Sequence, residues 1–200
     1  TSVIKPGTKW FIPADSWKIN HTNMKDMLSE RRFSTIIVNG DGIKVFVPDQ
    51  ETPIEEIPKK DREFSEILPE LYEKHKLNKY PLAITGHLCI SRGITISSKE
   101  FRLTHGIMPQ TATNTDTGRS NVSQMAGRMK GNQKDWHNFQ SPTVYCTKEF
   151  SDIATELEGL SKNIAKTAYI DPEFRLNPDF IKEKEKTKKE KINWVTKLKH

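Results

Sequence analysis

Two hundred residues, 34% hydrophobic and 29% charged, suffice for one domain with its own core, or for a domain plus a tail. No apolar run approaches the ~20 residues needed to cross a bilayer. The opening Thr1 to Trp10 also lacks the apolar centre of a secretory signal, so the expectation is an intracellular protein of cytoplasm or nucleus with no membrane partner. The net charge of +6 is unevenly placed: residues 181–200 hold eight Lys against three Glu, which leaves the rest of the chain close to neutral. Such a tail reads first as a solvated Lys/Glu helix and second as a non-specific contact to phosphates. The chain does not begin with Met, and the expectation is a piece of something longer.

The predicted elements alternate between apolar runs and helical periods, the pattern of an α/β domain with a mainly parallel sheet. Lys9 to Pro13 reads as a short strand, and Asn23 to Arg32 as a helix on Met24, Met27 and Leu28, capped by Asn20 or Thr22. Thr35 to Val38 is β-branched throughout, as a strand buried on both faces requires. Asn39-Gly40-Asp41-Gly42 has turn chemistry, Ile43 to Val47 makes a brief extra strand, and the acidic, Pro-containing Asp49 to Lys60 reads as a loop. Arg62 to Lys76 is an amphipathic helix on Phe64, Ile67, Leu68, Leu71 and Tyr72, which Pro69 is expected to disturb or divide. Strands are expected at Pro81 to Ile90 and Phe101 to Met108, with Ile94 to Ser97 as a short continuation. Thr111 to Ser120 reads as a loop, Val122 to Met129 as a helix, Thr143 to Cys146 as the last strand, and Asp152 to Tyr169 as a helix. Cys89 and Cys146 fall in apolar strands and are expected to be buried, reduced thiols. The boundary to the Lys-rich tail is placed after residue 170, giving a domain of residues 1–170 and a tail of 171–200, helical or flexible.

Chemistry concentrates in two segments. In Gln124-Met125-Ala126-Gly127-Arg128 a helix sets the Gln124 amide and the Arg128 guanidinium four residues apart on one face. Together they can grip phosphate oxygens, and Gly127 leaves room for another backbone or a nucleotide. The bland alternative is a surface helix with an ordinary Arg and a packing Gly. In Thr85-Gly86-His87-Leu88-Cys89-Ile90-Ser91-Arg92-Gly93-Ile94-Thr95 a strand runs into polar residues and Arg-Gly, at the carboxyl end where open α/β sheets bind ligands. Other constellations are weaker. Asn114 to Gly118 lacks the Glu of a calcium loop. His87, Cys89, His105 and Cys146 lack metal spacing. Trp136, His137 and Phe139 suit packing better than base stacking.

Taken in order, the two segments resemble motifs V and VI of the C-terminal RecA-like domain of superfamily-two helicases. Lys9 to Pro13 resembles the motif IV strand that opens that domain, and Thr35 to Ile43 its next strand and turn. The likeness covers about residues 9–150, and its departures suit a divergent relative of viral or phage type. It implies a RecA-like three-layer αβα domain that shares an ATP site with an N-terminal RecA-like domain. By the resemblance, Arg128 is the arginine finger and Gln124 its neighbour at the nucleotide. Gly93, Thr95, Gly127 and Arg128 would border the cofactor, ATP with Mg²⁺, and Gly86, His87 and Arg92 the nucleic acid, single-stranded or duplex, DNA ahead of RNA. Three features depart from the family. Gly131 stands where a second arginine is usual, Thr95 stands where an Asp is common, and the Thr111 to Ser120 loop is long. No Walker A loop and no Asp-Glu box is present, so this chain alone is not expected to hydrolyse ATP. The alternative is a non-catalytic nucleic-acid-binding module on the same scaffold; a self-contained small-molecule enzyme lacks any catalytic pair.

Overall fold

The structure, a computed structural model, describes residues 3–14, 18–58, 64–86, 96–108, 115–130, 137, 140–171 and 173–175. Their elements are β1 (Lys9–Phe11), α1 (Lys18–Ser29), β2 (Ser34–Asn39), β3 (Gly42–Phe46), β4 (Glu55–Pro58), α2 (Phe64–Lys74), β5 (Leu82–Gly86), β6 (His105–Ile107), α3 (Asp116–Lys130), β7 (Thr143–Tyr145) and α4 (Lys148–Ile170). A 3₁₀ turn at Leu77–Lys79 precedes β5. The chain divides into two compact units, Thr1–Ala154 and Thr155–His200, and the sheet with α1, α2 and α3 lies in the first. No helix of the described residues is long and apolar enough to cross a membrane.

The seven strands form one sheet in the order β4-β3-β2-β5-β1-β6-β7. The five strands from β2 to β7 along it run parallel, while β3 and β4 add an antiparallel edge. The α/β expectation therefore holds, with a mostly parallel sheet. Successive side chains of a strand point to opposite faces, so printed contacts fix which helix covers which side. Trp10, Ile12 and Ala83 share one face with Leu28 and Met24 of α1. On the other face, Lys9 reaches the Tyr72 ring of α2, with Nζ 4.4 Å from its centroid. A Cβ placed on Gly106 would meet the tip of Met129 on α3, from that same side. Helices thus lie on both faces, as a three-layer αβα arrangement requires.

The central strands earn their burial from sequence. Ser34 to Val38 is buried at every position, as are Leu82 to Gly86. At roughly 25 cal/mol per Å² of apolar surface, a fully enclosed Ile or Leu contributes about 1.5–3 kcal/mol, and Ile36, Leu68, Leu77, Leu82 and Leu103 are all at 0–2% exposure.

Several boundaries differ from expectation. α1 starts at Lys18, so Asn20 and Thr22 lie inside the helix rather than at its cap, and Met27 points to solvent. Its inner face is made by His21, Lys25 and Leu28. Lys25 lies over the Phe46 ring and pairs with Asp26, which lets its aliphatic stem be enclosed. Within the expected Asp49 to Lys60 loop, Glu55–Pro58 pairs antiparallel with β3 as an edge strand. α2 runs unbroken through Pro69. Only His105–Ile107 of the expected Phe101 to Met108 strand is extended into the sheet. α3 begins at Asp116, six residues earlier than expected, and α4 at Lys148. Cys146 is exposed rather than buried, because β7 is the sheet's last strand and none of its residues is enclosed. Cys89 lies outside the described residues.

Candidate functional site

β1 and β6 are neighbours in the sheet, yet the helices that follow them leave onto opposite faces: α1 onto the Trp10 face, α3 onto the Gly106 face. Where adjacent parallel strands send their connections to opposite sides, a crevice opens outside their carboxyl ends, and open α/β sheets bind ligands there. Strand order is a tertiary property, so the sequence reading located the carboxyl edge without finding this point on it.

α3 is the helix that follows β6, and Met129 in its last turn lies against Gly106 of that strand. Thr115 caps the helix: the Gly118 amide donates to Thr115 Oγ1 at 3.0 Å, satisfying one of the amides that a helix start leaves open. Gly118, Val122, Met125 and Met129 recur at helical spacing and are all buried, so this row faces the sheet. Gln124 and Arg128 lie on the flank of the row, one turn apart as the sequence required. Gln124 is exposed, and its Nε2 donates to Ser120 Oγ at 3.3 Å. Arg128 is half-buried, with its Nε shut off from solvent. The same flank carries exposed Thr117 and Asn121, which the sequence reading passed over because it began the helix at Val122. Gly127 points away from the sheet, and a Cβ there would meet nothing within 4 Å. It is therefore no packing glycine, which removes half of the bland reading of this segment.

Gly86 closes β5 with φ at 147°, a conformation that side chains rarely adopt. It is buried, and its carbonyl accepts from the Ala14 amide at 3.0 Å, which extends the β1–β5 pairing to the sheet's carboxyl edge. Beside it Thr85 is 1% exposed, and its hydroxyl has no hydrogen-bond partner among the described residues. Gly86 is thus placed at the edge where ligands bind, separated from β6 and the α3 side by β1. His87, Arg92, Gly93 and Thr95 lie outside the described residues, as do Gly131, Trp136 and Phe139. His137 is exposed, and its carbonyl accepts from Arg102 at 2.9 Å, a tether of the α3–β7 connection. Asp116 to Gly118, the end of the weak calcium-loop candidate, is the first turn of α3.

Three other titratable groups are held by the fold. Lys9, packed between the Tyr72 and Phe101 rings, has its ammonium pushed below the usual lysine range by burial, a shift that Glu73 opposes. Glu55 accepts from Lys74 at 2.7 Å and contacts His75, and these hydrogen bonds hold its carboxyl below the usual range. His105 stacks on Trp10 with centroids 4.3 Å apart and planes at 13°, and its Nδ1 lies 2.8 Å from Thr104 Oγ1. Burial, and then the Lys5 charge, push its pKa down. Among the described residues no group of three or more His, Cys, Asp or Glu could hold a metal.

No protein-family model matches this chain, and no curated protein matches it either.

Proposed function

We propose that this chain is the second, C-terminal RecA-like domain of a superfamily-two helicase or translocase. It would act with an N-terminal RecA-like domain that binds ATP and Mg²⁺. The observation that carries the reading is the α3 helix. It follows β6, one of the two strands that flank the topological switch point, sets Gln124 and Arg128 on one flank, and keeps Gly127 open to an approaching surface. Arg128 would stabilise the charge that develops on the transferred phosphoryl group; a planar guanidinium does so with donors already fixed in a fork. The enclosed Nε fits such a role, since a stem held by the fold presents its far end at a defined place. Gln124 would contact the nucleotide or orient Arg128. Gly93 and Thr95 would join them at the cofactor, while Gly86, His87 and Arg92 would follow the nucleic acid along the carboxyl edge.

In the protein joined to its ATP-binding domain, Arg128→Ala should cut strand-stimulated ATP hydrolysis by at least ~10³-fold while ATP binding persists. Unchanged hydrolysis would remove Arg128 from the finger role. Gly131 and Thr95 stand where relatives carry Arg and Asp, and they favour a second reading, a nucleic-acid-binding module without catalysis. A Walker A loop and an Asp-Glu box encoded upstream of Thr1 would decide for the helicase; their absence there would decide for the module.

A further inference from the structure

The strands β2, β5, β1 and β6 lie side by side and run parallel, so the segments that lead into them gather on one edge, opposite the carboxyl edge. Those segments carry Arg31 and Arg32, Lys76 and Lys79, Lys5, and Lys99 respectively, all exposed. Toward β2 the charges are neutralised in place: Arg31 pairs with Glu30 at 3.6 Å, Arg32 with Asp49 at 3.0 Å, and Lys74 with Glu55 at 2.7 Å. At the far side Lys99 is followed by exposed Glu100. Lys9 is turned inward against the Tyr72 ring, near Glu73. Between these balanced stretches Lys5, Lys76 and Lys79 make no ion pair among the described residues.

This middle stretch is held in a defined shape. The Gly7 amide donates to the Tyr80 carbonyl at 3.2 Å, which ties the Lys5 turn to the Lys76–Tyr80 turn. The Thr8 hydroxyl closes the first turn on the Lys5 carbonyl at 2.6 Å. In the second, Lys79 and Tyr80 donate to the Lys76 and Leu77 carbonyls at 3.2 Å each, and Lys76 is fixed at φ 50° and ψ 44°. The backbones of three exposed lysines are thereby held on one edge, with exposed Asn78 between two of them as a further donor. The body of the chain is close to neutral, so this edge is a local feature and not a share of a general excess.

We propose that this amino edge, formed by Lys5, Lys76 and Lys79, is a second contact for the phosphate backbone of a nucleic acid, on the opposite edge of the sheet from Gly86. Phosphates neutralised by lysines release counterions, which yields affinity without sequence preference. The choice of nucleic acid over other polyanions rests on the helicase reading.

The test uses the full chain, tail included, and a labelled single-stranded oligothymidylate titrated over a range of salt. The triple variant Lys5→Glu, Lys76→Glu, Lys79→Glu should bind about tenfold more weakly at low salt. Loss of three phosphate contacts should also make the salt dependence shallower by about two in log–log slope. Thermal unfolding should stay unchanged, because the replaced side chains are exposed. Equal affinity and equal slope in the variant and the parent would overturn the proposal. So would a loss of binding to phosphatidylserine vesicles with oligonucleotide binding intact, since the surface would then belong to a membrane. The readout is equilibrium binding without ATP, whereas the ATP-site reading is tested by strand-stimulated hydrolysis, so failure here is distinct from failure of that reading.

Discussion

A Cβ added to Gly106 would come within 2.9 Å of Met129 Sδ and Cε and of Met108 Cε, so the absence of a side chain there lets α3 lie close on β6. Gly127, on that same helix, faces open space and has no such reason. A glycine inside a helix costs about 1 kcal/mol relative to alanine, which the isolated chain could recover. The two therefore predict opposite outcomes. Gly106→Ala should lower stability by about 1 kcal/mol, the small end of overpacking because methionine tips can swing. That loss should shrink in a Met129→Ala background, where only the Met108 contact remains, a coupling that a double-mutant cycle in denaturant melts would read. Gly127→Ala should instead raise stability by about 0.5–1 kcal/mol. If another domain or a nucleotide approaches the helix there, the same substitution should depress strand-stimulated ATP hydrolysis in the complete protein. A stabilised chain with full hydrolysis would leave Gly127 without a role.

At the scale of elements, what the sequence disclosed was governed by periodicity, and what it hid was governed by caps and edges. Thr35 to Val38 was legible as an unbroken β-branched run buried at every position, and the α2 stripe because its burial follows the helical period. β4 was hidden because Glu55-Glu56-Ile57-Pro58 has the composition of a loop; charge and proline are how an edge strand resists pairing with strangers. The first turns of α3 and α4 were hidden by turn-forming residues, although the signal was present as Thr115 and Thr147, whose hydroxyls accept from the amides three residues on. Missing that cap also hid Thr117 and Asn121 from the candidate site, while Gln124 and Arg128, four apart, needed only a helix to be read. The switch point between β1 and β6 was not legible at all, since it depends on which strands become neighbours. Two variants test the α3 assignment. Thr115→Ala should cost about 1 kcal/mol, with Thr115→Asn restoring most of it. Met125→Ala should cost about 2–4 kcal/mol, and Gln124→Ala less than about 0.5, because only the first side chain is enclosed. Equal costs for Met125 and Gln124 would mean that the helix is turned the other way.

The response of the whole molecule to acid follows from two groups in the unit that holds the sheet. His105 has its pKa lowered by burial first and by Lys5 second. Near neutrality the unfolded chain therefore binds more protons at this position than the folded one, and stability rises with pH. On acidification the loss begins as pH falls below about 6.5, the ordinary histidine value, and ends once the folded form is protonated too. Glu55 has its pKa lowered by hydrogen bonds from Lys74 and then His75. Its contribution is complete above about pH 4.3, the ordinary glutamate value, and is lost as pH falls toward the lower folded value. The two groups stand far apart in the sheet, His105 on β6 and Glu55 at the start of β4, so their effects should add. Stability from denaturant melts should thus fall in two limbs, one below about pH 6.5 and one below about pH 4.3. His105→Gln should flatten the first limb and leave the second, and Glu55→Gln should do the reverse after an overall loss from the broken Lys74 contact. The stacked ring adds an internal reporter: Trp10 fluorescence should change with pH across the first limb while the protein is still folded, as an imidazolium replaces a neutral ring 4.3 Å away. A parent protein whose stability is flat from pH 7 to 5 would show that His105 is not set apart from its unfolded value, and that the Trp10–His105 stack is looser than the geometry here.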